Sequence, residues 1–438
     1  MNLFWKKLFG EITPTAKLEK DEADLVIAMH RYAEVEKSVE LAEYTQLFHV
    51  VKSAIFKENK KILQNRKYKD TEEYQNSRKF HKLQNSPAIQ LYYHILDSAE
   101  LNQFLDFKST PEYIEIGDKK KVKASENLKK MKHFENSKTY KTYVRFHNSY
   151  IIAEFENLKA KVVTPEFKKE NEFWANEKRW HSTPEYAQEQ RFYELAKNPD
   201  IVFFENEKPE RFEKYRALKI SFQDEFQWNT LDKSHWNFGF HYKSTELIGD
   251  HSFANEKQAN NSGKNIAVEE GILKIATKHE KVTARAWHTE KGFIEKEFHF
   301  TSDVLQTADK FRQKQGVFRA KIRCTGNHHH AFWLGSDAKL PLINIFHSTG
   351  KYITLGNTNK NLVDGIKITG INPGQFFIYT LVWSEKELIW MINNLEVYRT
   401  ASNIPKEDMY LAFNSFITEK QHGSSGTLEV DWVRVYTN

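Results

Sequence analysis

The sequence predicts two folded parts of different class: a helical N-terminal half and an antiparallel two-sheet β-sandwich in the C-terminal half. Three observations carry this. Residues 17 to 66 place apolar side chains at helical spacing without Pro or Gly, and residues 70 to 215 repeat a short helix-start signal. Beyond about residue 220 the apolar positions alternate with period two between Gly and Asn punctuation. The expected division is a long N-terminal helix or helix pair over 1–69, a short-helix repeat region over 70–218 and the sandwich over 219–438. Ten Trp, 19 Tyr and 32 Phe in 438 residues supply enough buriable surface for more than one core.

At the start, Leu3, Phe4, Trp5, Leu8 and Phe9 surround Lys6 and Lys7. This amphipathic stretch is too short and interrupted for a secretory h-region or a membrane span, and docking on its own domain is the expected role. The chain is therefore expected to be cytoplasmic, or otherwise not exported by a cleavable signal peptide. Leu25, Met29, Tyr32, Tyr44, Leu47, Val51 and Ile55 then mark the buried side of the long helical stretch, with alternating charges on a solvated face. From residue 70 the repeated signal is a cap, often Pro, then an acidic residue and a bulky apolar one. It recurs in Thr71-Glu-Glu-Tyr74, Ser98-Ala-Glu-Leu101, Thr110-Pro-Glu-Tyr113, Thr164-Pro-Glu-Phe167, Thr183-Pro-Glu-Tyr186 and Asn198-Pro-Asp-Ile201. The cap side chain accepts from orphan helix N–H groups, Pro at the first helical position loses no bond, and the carboxylate meets the positive helix end. Tyr74, Tyr92, Phe104, Tyr113, Phe167 and Tyr186 are expected to pack the short helices together.

Composition narrows the function. Lys+Arg number 65 against 59 Asp+Glu, interspersed throughout, so the net charge of +6 marks no nucleic-acid-binding face. A single cysteine, Cys324, excludes an intramolecular disulfide. No Gly-rich phosphate loop, H-E-x-x-H, nucleophile elbow or paired-Cys motif is present, which disfavours a nucleotide enzyme. In the strand Gly316–Cys324, Arg319, Lys321 and Arg323 alternate with Phe318, Ala320, Ile322 and Cys324, the pattern of a sheet with one wet side.

The order of blocks over roughly residues 221 to 438 resembles glycoside hydrolase family 16. These blocks are SFQDEF with LDKSHWNF, then EEGILKI, QGVFRAKIR, AFWLG, YTLVWSEKELIWMINNLEVYRT and the closing LEVDWVRVY. The resemblance implies a concanavalin A-like jelly roll, and a catalytic strand of the form E-I-D-I-x-E after the AFWL block. Retaining hydrolysis needs one carboxylate to attack the anomeric carbon and a second, about 5 Å away, to protonate the leaving oxygen. The matching stretch is Leu342-Ile343-Asn344-Ile345-Phe346-His347. Nucleophile, helper and acid/base thus fall on Leu342, Asn344 and His347, and neither Asp nor Glu occurs between Ala338 and Val363. Leu342 can form no glycosyl ester.

The fold is therefore expected without the family reaction. The first expectation is a non-catalytic binding or structural protein whose jelly roll is a recognition module and whose helical arm docks on protein partners. The alternative is a lectin for β-glucan or galactan-type oligosaccharides, with Arg285, Trp287, His329, Trp333, Asn344 and His347 as candidate carbohydrate contacts. A glycosidase rebuilt from His347, Asn344 and His328 to His330 ranks third, so enzyme status stays open. His328 and His330, sharing a strand face, form with His347 a candidate metal cluster, against the plainer expectation of polar cleft lining. No cofactor is required. The resemblance also implies a structural Ca²⁺ site at Gly271 and Asp431.

Overall fold

The computed structural model describes residues 1–241, 251–338, 340–359 and 362–437. The chain forms two compact units, one made of Met1–Ala33 with Lys208–Asn438 and one of Glu34–Glu207. Among the described residues no helix is long and apolar enough to cross a membrane.

The first unit is a sandwich of two sheets, antiparallel apart from two short parallel pairings. In one sheet the strands run in the order Leu395–Thr400, Leu388–Ile392, Phe377–Trp383, Gly316–Cys324, Gly426–Thr437, Ile272–His288, Gly292–Ser302, Gln258–Asn260. In the other the order is Leu362–Ile368, Ile353–Asn359, Leu342–Ser348, His329–Gly335, Tyr410–Phe416, Val304–Gln306, Asn237–Phe238. Period-two alternation sends Phe318, Trp383 and Trp390 of the first sheet and Phe332, Phe346 and Phe413 of the second into one fully buried core. Phe332 stacks on Phe413 at 4.5 Å within its sheet, and Phe346 meets Tyr379 of the facing sheet at 4.6 Å.

The outer face of the first sheet departs from the expected wet side. Helix Thr15–Glu36 begins over it, with Leu18 buried against Ile378 and Trp432. The cations are met by carboxylates some 300 positions away in sequence. Arg319, 8% exposed, donates to Glu22 at 2.9 Å, and Lys321 donates to Glu19 at 2.8 Å. Glu19 also accepts from the Trp432 indole at 3.0 Å. Pairing of this kind offsets the desolvation that burying Arg319 alone would cost. Residues 1–33 accordingly belong with the sandwich rather than with a 1–69 helical domain. Leu3 and Ile12 insert into the sandwich core, while Phe4, Trp5, Leu8 and Phe9 stay exposed. The stretch expected to be one or two long helices is broken at Ser38 and Ser53.

The second unit is a nested set of short helices rather than a stack of neighbouring repeats. Val39–Lys52 lies against Pro184–Leu195, Glu72–Gln84 against Tyr150–Val162, Pro87–Leu96 against Lys138–Phe146, and Ala99–Lys108 against Glu126–Asn136. Stacked rings mark three of these pairs: Tyr44 on Phe192 at 5.5 Å, Phe80 on Phe155 at 5.6 Å and Tyr92 on Tyr143 at 6.3 Å. Of the aromatic residues marked in the sequence, Tyr92, Phe104 and Phe167 are buried and Tyr74, Tyr113 and Tyr186 half-buried.

Many corners between helices are made by one hydroxyl. Thr71, Ser98, Thr164 and Thr183 each accept from the N–H three residues on and donate to the carbonyl three residues back, so one oxygen closes one helix and opens the next. Ser86 and Thr110 make no such cap, and Ser38, Ser53, Ser125 and Ser137 cap helices without the Pro that made other starts visible. Thr71 is fully buried. Thr71→Ala strands both partners and is expected to cost this unit about 1–2 kcal/mol. A lowered urea midpoint for the helical signal checks this; an unchanged midpoint contradicts it.

Candidate functional site

The exposed face of the second sheet carries a cavity of about 330 Å³. Its floor is built by alternation. On strand His329–Gly335, Ala331, Trp333 and Gly335 face the cavity; on Tyr410–Phe416, Tyr410, Asn414 and Phe416 do. Gly335 is required here, because a Cβ would lie 2.5 Å from the Trp333 ring. Trp333 rests edge-on against Tyr410 at 5.8 Å and donates its indole N–H to Asn414 Oδ1 at 2.9 Å. The amide nitrogen of Asn414 is thereby left to donate.

Leu342, Asn344 and His347 all line the same cavity. A spacing of two and then three residues keeps one face only if the strand slips once, and it does. Asn344 pairs with Trp333 and Phe346 with Phe332, which makes Ile345 the extra residue of a β-bulge. The Asn344 carbonyl accepts from the Trp390 indole of the facing sheet at 2.8 Å, so a core residue fixes the bulge independently of the cleft side chains.

The His run divides by the same alternation, and this corrects the proposed grouping of His328 and His330 with His347. His328 and His330 point inward, fully buried, with ring centroids 4.3 Å apart. His330 is bound to Ser415 and to the Thr325 carbonyl, each at 2.8 Å. Among the described residues neither ring nitrogen of His328 has a partner. The middle residue, His329, is the one that meets His347, Nδ1 to Nε2 at 2.7 Å, and it stacks on Phe416 at 4.6 Å. His347 Nδ1 meets the Thr354 hydroxyl at 3.2 Å. Burial pushes His347 down to about 4, reinforced by His329, and burial also lowers His329. Both rings are thus neutral at pH 7, and both nitrogens of His347 are engaged by His329 and Thr354, so it is not the protonated acid that a leaving group needs.

Trp333, Asn344 and His347 are brought together at the cavity, with His329 beside its wall. Arg285 and Trp287 are not. They lie on strand Ile272–His288, the guanidinium 3.8 Å above the Phe293 ring and the Trp287 ring edge-on to the same Phe at 5.0 Å. Asp431, the expected calcium contributor, binds the Lys321 ammonium at 2.7 Å. Gly271 sits in a tight turn with φ of 74°. Among the described residues no group of three or more His, Cys, Asp or Glu side chains is arranged to hold a metal.

Several lining residues escaped the sequence reading, among them His241, Tyr410, Asn414 and Glu256. Glu256 enters the cavity from the segment between the short strands Ser252–Phe253 and Gln258–Asn260, and it is the one carboxylate among the described lining residues. Burial raises it to about 7, against smaller opposing effects of a hydrogen bond from Gln258 and the charge of Lys296. Beside the cavity, Asp337 is ion-paired with Arg312, whose hydrogen bond holds it below the usual carboxylate range. Nothing in the alternation near residue 256 signals a cleft position, since only tertiary folding brings this segment to strand 342–348.

Among the described residues this is an aromatic cleft with hydrogen-bonding amides, neutral histidines and one carboxyl, and it lacks the paired carboxylates of retaining hydrolysis. No protein-family model matches the sequence. Glucan endo-1,3-β-glucosidase A1 of Niallia circulans is 25% identical in an alignment of 269 positions that covers 50% of this chain and 38% of that protein. Among solved structures, the laminarinase catalytic domain of Thermotoga petrophila aligns at 17% identity over 50% of this chain and 98% of its own, with a TM-score of 0.42. LamAcat of Zobellia galactanivorans aligns at 21% over 51% and 99%, with a TM-score of 0.40. By these comparisons the C-terminal half, a two-sheet antiparallel sandwich, is similar to laminarinase-type jelly-roll domains, and the helical half matches no recognised family.

Proposed function

We propose that the jelly roll is a non-hydrolytic carbohydrate-binding module for neutral glucans of the β-1,3-linked class. The observation that supports it most is the conjunction at one cavity of Trp333 and Asn414 with Leu342, Asn344 and His347 in place of carboxylates. Pyranose rings stack on indoles and hydroxyls bond to amides whether or not a nucleophile is present. A double displacement, in contrast, has no oxygen at position 342 to form the covalent intermediate. The relative from Niallia circulans is named for action on 1,3-β-glucan, which suggests the ligand class.

Calorimetric titration of the full chain with linear β-1,3-gluco-oligosaccharides tests this. Binding is expected without release of reducing ends, and Trp333→Ala is expected to weaken it by at least tenfold, the loss of a stacking contact. Absence of binding across a glucan and galactan panel leaves the second reading, in which the jelly roll serves only assembly and the helical unit attaches to protein partners. Reducing-end release by the wild-type chain would overturn the non-hydrolytic reading.

A further inference from the structure

The carboxyl of Glu256 is a built feature of the cavity wall. Its backbone N–H donates to the Phe253 carbonyl at 3.1 Å, and its own carbonyl accepts from the Lys296 ammonium at 3.0 Å. Oε2 accepts from the Gln258 amide, and that amide's oxygen accepts from the Ile417 N–H at 2.7 Å, so the group orienting the carboxyl is itself fixed by a buried backbone bond. Oε1 has no protein partner among the described residues. A proton on the acid therefore sits on Oε1, where it can donate to a ligand oxygen.

Charge balance in the cavity favours that proton once a ligand is seated. The cation that acts on this carboxyl, Lys296, is on the adjoining strand Gly292–Ser302 and already donates to two backbone carbonyls, Ala254 at 2.6 Å and Glu256 itself. Across the cavity His347 is neutral through burial. His241, the other histidine of the lining, lies on Asp337 at 3.2 Å, and Tyr410 lies beside it. A sugar filling the cavity displaces the water that solvates an ionised carboxylate, and among the described residues the cations beside it, Lys296 and Arg312, are already engaged with backbone carbonyls and with Asp337.

We propose that Glu256 is a ligand-contacting residue of this cavity, binding a neutral saccharide as the protonated acid, so that seating the ligand takes up a proton. This rests on the carbohydrate-binding reading above. Burial of the free carboxyl places the transition near pH 7. Affinity is then full below that pH and falls as the group ionises above it.

The test is titration of the full chain with a linear β-1,3-gluco-hexaose at pH 6 and pH 8.5, in two buffers of different ionisation enthalpy. Wild type is expected to bind about tenfold more tightly at pH 6 and to take up a fraction of a proton at pH 7.5. In Glu256→Gln, which keeps a donor and cannot ionise, the ratio between the two pH values falls to about one; this also separates Glu256 from His241. Glu256→Ala is expected to weaken binding at pH 6 by several-fold. Wild-type binding with no pH ratio, or with the same ratio in Glu256→Gln, overturns this inference and leaves the carbohydrate reading standing. No binding at any pH overturns both.

Discussion

Acidification from pH 7.5 to pH 5 is expected to destabilise the sandwich unit by about 2 kcal/mol or more, while leaving the helical unit with a smaller change. Burial holds His328 and His347 at about 4, lowers His330 well below the ordinary value of 6.5 and lowers His329. Neutral in the fold and protonated in the unfolded chain, these groups contribute stability that is fully present above pH 6.5 and is lost as pH falls toward 4. At pH 5 the linkage amounts to about 2 kcal/mol each for His328 and His347. Glu256 works in the opposite sense. Its raised folded value gives stability that is present below pH 4.5 and lost as pH rises through 7, so acidification recovers about 2 kcal/mol from it. His328 and His347 together outweigh Glu256 by about 2 kcal/mol, and His330 and His329, lowered by burial as well, add to the loss.

Thermal unfolding followed by near-UV circular dichroism checks this, because most of the packed Trp lie in the sandwich. His328→Leu, which removes two unpartnered ring nitrogens from a fully buried site, is expected to shrink the acid-induced fall by about 2 kcal/mol. A melting temperature that stays flat between pH 7.5 and pH 5 would contradict the burial of neutral histidines described here.

What the sequence made legible were the features whose cause is local. Period-two alternation assigns the strands, and the Thr-Pro-Glu starts at 164 and 183 place helix caps because cap, proline and carboxylate sit within three residues of the helix they open. The spacing of Leu342, Asn344 and His347 also points to one cleft, given a bulge, and the slip at Ile345 supplies it. What stayed hidden depends on contacts made hundreds of residues away. Arg319, Lys321 and Arg323 read as a wet face because the acids that cover two of them, Glu22 and Glu19, lie in a helix near the start of the chain. Glu256 reads as one surface carboxylate among 59 acidic residues until folding places it opposite the bulged strand. Alternation separates His328 and His330 from His329 in the sequence, but which face meets His347 was decided by the direction of the strand, and it is the middle one that does. Arg285 and Trp287 have the side chains a sugar site uses, yet they spend them on Phe293.

The bulge makes a second large effect accessible. Since Trp390 holds the Asn344 carbonyl from the core, the backbone that aims positions 342, 344 and 347 into the cavity does not depend on what those side chains are. The triple substitution Leu342→Glu, Asn344→Asp, His347→Glu should therefore place three carboxyls on the cleft face, two of them flanking a bound glycosidic bond as a nucleophile and an acid. His329, deprived of His347 as a partner, can donate its ring N–H to the carboxylate introduced at 347, which keeps that wall satisfied. The introduced carboxylates repel one another, which helps keep one of them protonated, the state a general acid needs. Expected is hydrolysis of β-1,3-glucan at a rate on the order of a hundredfold or more above wild type, a small fraction of what paired carboxylates supply in a matured site. Reverting only position 342 to Leu in that variant should abolish the gain, because the covalent step loses its oxygen. A folded triple variant that binds the glucan and still releases no reducing ends would show that the cavity has changed shape as well as charge, so that the sugar no longer crosses the bulged strand with its anomeric carbon in reach.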